Sequence, residues 1–478
     1  MVLHSDRCYR ALRAHDPRFD GRFFVGVSST RVYCRPVCSV RTPKRENCRF
    51  FPNAAAAEAA GYRPCLRCRP ELAPGFAAVD AGARLVQAAA NLIEDELGNG
   101  LRLAAVAARL GVTDRHLRRV FQAQLGVSPV QFAQTQRLLF AKRLLSDTSM
   151  SITDVAMASG FGSLRTCNAL FRSRYRLTPS AVRKHAGALE PRDALVFQLG
   201  FRPPLDWTAL MSFLERRAVD GVEQIDGSVY RRTVRIERAG GRQIGWVAVA
   251  PARRSTLLEV RVSASLAGAL PLVLARIKRQ FDLCCDPEEI SNALGVLAQH
   301  HPGLRLPGAF DGFELAVRAI LGQQVTVRAA RTLAGRFAAA FGEPHATPFA
   351  GLRWLFPGPA RVAALDVSDI AALGIVSARA NAIRALARVM AAGELRLDAG
   401  AQPEATLERL RRLPGIGEWT AQYVAMRALA WPDAFPHTDY GVLKALGETD
   451  PRKALERAAP WRPWRSYAVM HLWKSLEE

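Results

Sequence analysis

Two cysteine pairs carry the densest chemistry in this chain. They read Tyr33-Cys34-Arg35-Pro36-Val37-Cys38 and Arg63-Pro64-Cys65-Leu66-Arg67-Cys68. Close pairs separated by a loop can converge on one tetrahedral Zn²⁺ through four thiolates. An iron centre of the same shape is the rival, but a small fold with no redox work favours zinc. The expected complement is one Zn²⁺ per chain, held by Cys34, Cys38, Cys65 and Cys68. Four thiolates overcompensate the dication, so the sulfurs are electron-rich nucleophiles, expected at the surface of a cationic module. Arg31, Arg35, Arg41, Lys44, Arg45, Arg49, Arg63, Arg67 and Arg69 surround them. Arg67 is expected to meet DNA. A purely structural zinc is the alternative, and spacing alone does not choose a reactive sulfur among the four.

A second concentration lies far downstream, at Leu413-Pro414-Gly415-Ile416-Gly417-Glu418-Trp419-Thr420. It joins an amphipathic helix, expected over 405–412, to a second running to about 430. Gly415 and Gly417 are expected to adopt backbone conformations that other residues resist. The second helix then begins with free N–H groups aimed outward, which suits an anion. This is a helix-hairpin-helix, with Gly415, Gly417 and Thr420 as phosphate contacts. Phe435-Pro436-His437-Thr438-Asp439-Tyr440 follows, with an aspartate placed just before a new helix. Such an aspartate can cap that helix, or present a carboxylate to a reacting centre.

The elements around these motifs differ in texture. Between them lies an internal repeat at an offset of about 49 residues. Its first copy runs from Leu103 to Gly111, then Thr113 and a helix to Leu125. Its second runs from Ile152 to Gly160, then Ser163 and a helix to about Tyr175. Each copy is a short helix, a glycine that supplies a left-handed turn, and a cap for the next helix. Tandem helix-turn-helix units place their second helices in the DNA major groove. Arg115 and Arg119 in the first unit and Arg165 in the second are the favoured contacts, to bases or to phosphate only. Residues 186–192 read as a linker. Beyond it alternating strand-like segments at 228–237, 243–249 and 256–262, with a turn at 240–241, give way near residue 287 to helical sequence. The expected fold is multidomain and mainly α with α+β parts.

Composition agrees with a nucleic acid partner. The 478 residues suggest about three domains. The formal charge is +23 and the pI about 10.5, a surplus that every segment shares. No apolar run of about 18 residues and no signal peptide is evident. Nine cysteines without a disulfide framework indicate a reducing cytoplasm.

Residues 1–76 resemble the zinc domain of Ada-type regulators, through Phe19-Asp20-Gly21, the run ending at Cys38, Arg45-Glu46-Asn47, Ala59-Ala60-Gly61 and the second cysteine pair. The resemblance implies that Cys34 is both zinc ligand and acceptor of a methyl group from a DNA methylphosphotriester. Residues 77–186 resemble the DNA-binding domain of AraC-type regulators. Residues 193–285 and 286–478 resemble the α+β subdomain and the helix-hairpin-helix domain of AlkA-type 3-methyladenine DNA glycosylases. That match runs through Phe281-Asp282-Leu283, Arg305-Leu306-Pro307-Gly308, 317–323 and Pro463-Trp464-Arg465-Ser466-Tyr467-Ala468. It implies Asp439 as the catalytic carboxylate, and a base pocket of Trp419, Tyr423, Tyr440 and Trp473. Gln324 stands where the family presents a leucine wedge. Trp419 occupies the place of the lyase lysine of bifunctional relatives, so the reaction should stop at an abasic site. No cysteine follows Cys285, so the iron–sulfur cluster of some relatives is not expected. The second methyltransferase motif of Ada, Pro-Cys-His-Arg, is absent too.

These expectations combine into an alkylation-damage responder. It would accept methyl groups on Cys34, activate transcription when methylated, and hydrolyse the glycosidic bond of alkylated purines. Its partners would be double-stranded DNA and RNA polymerase, with no membrane, and the chain would act as a monomer. The rival reading is a methylation-sensing regulator whose C-terminal half only binds DNA.

Overall fold

A computed structural model describes residues 4–75, 81–97, 102–186, 193–238, 241–253, 256–398 and 400–477. The chain forms two compact units. The first comprises Met1–Pro203, Ala252–Ala275 and Leu283–Cys285, and the second comprises Pro204–Pro251, Arg276–Asp282 and Asp286–Glu478.

The first unit begins with a four-stranded sheet whose order is Cys48–Phe51, Phe24–Val27, Val32–Cys34, Arg63–Pro64. Three strands are antiparallel, but Val32 and Tyr33 pair in parallel with Arg63 and Pro64. That parallel pairing places both cysteine pairs at one end of the sheet. Cys34 ends one strand, and the Cys65 amide follows the other to bond the Tyr33 carbonyl at 3.0 Å. Phe24, Tyr33, Phe51 and Tyr62 fill one face. Gly26 must be glycine there, because a Cβ would lie 2.7 Å from the Phe51 ring and 2.9 Å from that of Tyr62.

Two helix-turn-helix units flank the helix Pro129–Asp147. That helix starts in a capping box between Ser128 and Gln131. In the first unit Leu103–Arg109 leads through Gly111, at φ 66°, to Asp114–Leu125, capped by Thr113. In the second, Ile152–Ala158 leads through Gly160, at φ 78°, to Leu164–Leu170, capped by Ser163. The helix Leu164–Leu170 continues as a wider π turn over Phe171–Tyr175. The expected linker falls mostly outside the described residues. After it, Ala194–Gly200 pairs antiparallel with Leu257–Ser263 in this same unit. Arg143 of the long helix donates to the Gln198 carbonyl, and buried Arg202 donates to the carbonyls of Gly75 and Cys284. The segment 193–285 is thus shared between the two compact units.

One buried carboxyl joins the thiolate sheet to the helix-turn-helix body. Glu58 accepts from Tyr33 Oη at 3.1 Å, Tyr175 Oη at 3.0 Å and Thr135 Oγ1 at 2.9 Å. Burial pushes its carboxyl up to about 7, against the lowering effect of these three donors and of nearby Arg174. A folded value above the unfolded one means stability that is complete below about pH 4.5 and lost as pH rises through about 7. Glu58→Gln removes that loss, worth at most about 3 kcal/mol. Thermal unfolding at pH 5 and pH 8 checks it: the variant should gain on the wild type at the higher pH. An identical pH response in both proteins would contradict it.

The second unit opens with the helix Trp207–Glu215 and the antiparallel strands Glu223–Asp226, Val229–Arg238 and Gly241–Pro251. The remainder is helical. Pro403–Arg411 and Glu418–Arg427 form the hairpin; its first helix begins two residues before the 405 the sequence suggested, and its second stops at Arg427 instead of near 430. Gly415 is left-handed at φ 74°, where its Cβ would also press on Ala382 at 2.9 Å. Gly417 corrects an expectation: its φ of −88° and ψ of −177° are extended backbone open to any residue. A Cβ at Gly417 meets nothing within 4 Å. No described helix is long and apolar enough to cross a membrane.

Candidate functional site

The parallel strand pairing brings Cys34, Cys38, Cys65 and Cys68 together, with their sulfurs all within 4.8 Å of one another. Among the described residues the cluster is made of these four thiols alone, a donor set that suits one Zn²⁺. The Arg35 amide points at Cys68 Sγ, 3.4 Å away, as backbone donors do toward metal-bound thiolates. Cys48 lies outside the set and donates to the Lys44 carbonyl at 3.3 Å.

Two expectations about this centre change. Cys34, Cys38 and Cys65 are buried, and only Cys68 is half-exposed. The centre is therefore recessed, because Leu12, Val25 and Val40 pack over it. Nor do all the surrounding cations face outward. Arg35 is buried against Asp20 and the Cys68 carbonyl, and Arg69 is engaged by Glu71 and Asp147. These two guanidiniums brace the cysteine loop. Arg67 remains exposed.

On the second helices of the two helix-turn-helix units, Arg115, Arg119 and Arg165 are exposed, with Arg119 Nη2 3.2 Å from His116 Nδ1. Arg118 is drawn back to Asp114 in an ion pair of 3.0 Å.

In the second unit Asp439 caps the helix Tyr440–Leu446, its Oδ1 accepting from the Val442 amide at 2.9 Å. The same carboxylate accepts two indole N–H groups. Trp473 Nε1 donates to Oδ1 at 2.9 Å, and Trp419 Nε1 donates to Oδ2 at 2.7 Å. Capping and presentation to a cavity therefore coexist. Both indoles also line that cavity of about 470 Å³, together with Tyr423, Tyr440, Gly322, Arg217 and Arg318. Trp419 stacks on Tyr423 with ring centroids 5.2 Å apart and planes at 13°. Tyr440 contributes to the lining from the rim, where it stands 78% exposed.

Thr420 corrects a further expectation. Its side chain is 2% exposed and accepts a hydrogen bond from Gln323 Nε2. It faces inward because it shares the buried side of its helix with Ala421 and Val424. Its hydroxyl is therefore turned away from the exposed face of the hairpin.

The sequence reading missed a cluster of guanidiniums behind Tyr423. Arg427 Nη1 lies 2.8 Å from the Tyr423 hydroxyl. Burial raises that phenol's pKa, but Arg427, Arg217 and Arg318 outweigh it and hold it below the usual tyrosine range. Arg217 also lies over the Phe213 ring, 3.8 Å from its centroid, and burial lowers its own value to about 10. Each pair, Phe213 with Arg217 and Tyr423 with Arg427, sits at i and i+4 on or beside a helix. That spacing was legible; the convergence of the two was not.

Fold and geometry define a class: a zinc-thiolate and helix-turn-helix regulator joined to a helix-hairpin-helix glycosylase. Residues 7–71 match the metal binding domain of Ada, 106–185 a helix-turn-helix domain, 196–311 the AlkA N-terminal domain, and 317–459 the HhH-GPD superfamily of base excision DNA repair proteins. The chain belongs to the family of bifunctional transcriptional activator/DNA repair enzymes of the AlkA type. It is 40% identical, over 99% of its length and 97% of the relative's, to the probable bifunctional transcriptional activator/DNA repair enzyme AlkA of Mycobacterium tuberculosis. It is 38% identical to the DNA-3-methyladenine glycosylase 2 of Escherichia coli, across 58% of this chain and 96% of that one. It is 30% identical to the bifunctional transcriptional activator/DNA repair enzyme AdaA of Bacillus subtilis, across 38% of this chain and 83% of that one.

Proposed function

We propose that the chain removes alkylation damage by two separate chemistries and reports one of them to the transcription machinery. The carrying observation is the Asp439 carboxylate, fixed at a base-sized aromatic cavity by the indoles that wall it.

An alkylated purine with positive charge on its ring is already a good leaving group. Its departure breaks the C1′–N bond, and the electron pair goes with the base. Positive charge then develops on the sugar, where the anionic Asp439 stabilises it and helps orient the incoming water. The proton of that water passes to Asp439 or solvent, leaving an abasic site. The faces of Trp419 and Trp473 attract a cationic base by about 1–2 kcal/mol, after extrusion has cost a few kcal/mol. Tyr423 adds less to that attraction, because three guanidiniums face it. No lysine is placed at Trp419, so no Schiff-base strand cleavage follows.

In the zinc domain, bound Zn²⁺ would hold Cys34 as a thiolate at neutral pH. The Cys34 sulfur attacks the methyl carbon of a phosphotriester. An S–CH₃ bond forms, the C–O bond breaks, and the phosphodiester leaves with the electron pair. The thioether is stable, so each chain reacts once. The methylated chain then binds promoter DNA through Arg115, Arg119 and Arg165, as a monomer in the cytoplasm, and recruits RNA polymerase.

Release of free 3-methyladenine and formation of abasic sites on methylated duplex test the glycosylase. Duplex binding without release would leave the C-terminal half as a DNA-binding module only. Trp473→Phe keeps a ring in the wall but removes one donor to the carboxylate. A hydrogen bond to a charged group is worth about 1.5–3 kcal/mol, so single-turnover excision should slow by roughly tenfold to a hundredfold. Binding to undamaged duplex should not change. Unaltered excision by this variant would show that the indole N–H does not position Asp439.

A further inference from the structure

The turn between the helices Gly312–Leu321 and Val327–Phe341 is tied to the phosphate hairpin by one side chain. Gln323 Nε2 donates to the Gly415 carbonyl at 2.8 Å and to Thr420 Oγ1 at 2.9 Å. These two acceptors bracket the hairpin turn, one on its left-handed glycine and the other inside its second helix. Arg379, at the start of the helix Ser377–Ala391, donates to the backbone carbonyl of the same Gln323. Three elements are therefore pinned at one residue. The next residue, Gln324, is exposed and held at φ 51°, a conformation that costs a side chain of this size and persists only where its surroundings enforce it. Gly322, just before the pair, lines the cavity that holds Asp439.

We infer that Gln323 is a positioning residue for base extrusion: it fixes Gln324 relative to the hairpin so that Gln324 fills the space a flipped base leaves. The hairpin amides hold the phosphate backbone at one place. Gln324 must enter the stack at a set distance from that place, and Gln323 is the covalent neighbour that enforces the distance. A glutamine wedge stacks less well than a large apolar side chain, and its amide can instead hydrogen-bond the widowed base. Its effect thus depends on being held still. The inference rests on the glycosylase reading above.

The test compares excision of 3-methyladenine from two duplexes by the full zinc-loaded chain. In one the lesion is paired; in the other it is an unpaired single-nucleotide bulge, whose extrusion leaves no gap. Gln323→Ala should lower kcat on the paired lesion by about tenfold, the size expected when a contact within one network is lost. KM should change little, and the bulged lesion should be processed at near the wild-type rate. Gln323→Glu, of the same size but without the donor, should behave like the alanine variant, and Gln324→Ala should add little to either. Equal losses on both duplexes, or fully additive losses with Gln324→Ala, would overturn the inference and reduce Gln323 to a structural tie. A wild-type chain that excises from neither duplex would overturn the glycosylase reading itself, and this inference with it.

Discussion

Asp439→Asn is expected to abolish base excision, lowering the single-turnover rate by about a thousandfold or more, as loss of a preorganised electrostatic group does. The asparagine oxygen can still cap the helix at Val442, so the fold persists. What disappears is the charge that faces the sugar. The amide also cannot satisfy both indoles, since its NH₂ would meet either Trp419 or Trp473 donor to donor. A modest fall in stability, about 1–3 kcal/mol, should accompany the lost activity. Binding to undamaged duplex should stay close to wild type, because the hairpin amides and Gln323 are untouched. Release of 3-methyladenine at near the wild-type rate would remove Asp439 from the mechanism.

The second large effect concerns regulation. Methylating Cys34 converts a thiolate to a thioether and removes one negative charge from the zinc centre. A phosphate facing that charge at about 5 Å, with an effective dielectric of about 40, is then repelled less by roughly 1.5 kcal/mol, about tenfold in affinity. The helix-turn-helix contacts need not alter; the zinc domain becomes able to lie on the adjacent backbone. Promoter affinity should rise after methylation, and its salt dependence should steepen as Arg67 and its neighbours meet phosphates. Arg35 and Arg69 should contribute nothing to that slope, because both are engaged within the fold. A salt titration of promoter binding with unmethylated and methylated chain checks this. Equal affinities at every salt concentration would leave the domain without a regulatory role.

The residues that gather at both centres were legible in the sequence because they sit in short, contiguous motifs, whereas the roles of Cys34 and Asp439 came from the resemblance alone. Two cysteine pairs, a left-handed Gly415 and an aspartate before a helix are local facts, and the fold keeps them local. The repeat was equally readable, since Gly111 and Gly160 and the caps Thr113 and Ser163 are adjacent to the helices they shape. What stayed hidden depends on convergence from distant segments. Phe213 and Arg217 reach Trp473, Tyr423 and Arg427 from more than two hundred residues away. Periodicity could not reveal that Trp419 and Trp473 would share one carboxylate. Nor could it reveal that Thr420 would turn inward to Gln323 while its helix still offered its N-terminus outward. The burial of the thiolates was missed for a related reason: a basic neighbourhood in sequence does not say which arginines are consumed in holding the loop.

The most direct test of the account is the mass of the Cys34 peptide. Full-length zinc-loaded chain is incubated with duplex carrying methylphosphotriesters and then digested. The account predicts one added methyl group on the peptide containing Cys34, at no more than one per chain, with zinc retained and with no such product from Cys34→Ala. An unmodified Cys34, or a methyl group found instead on Cys38, Cys65 or Cys68, would contradict it.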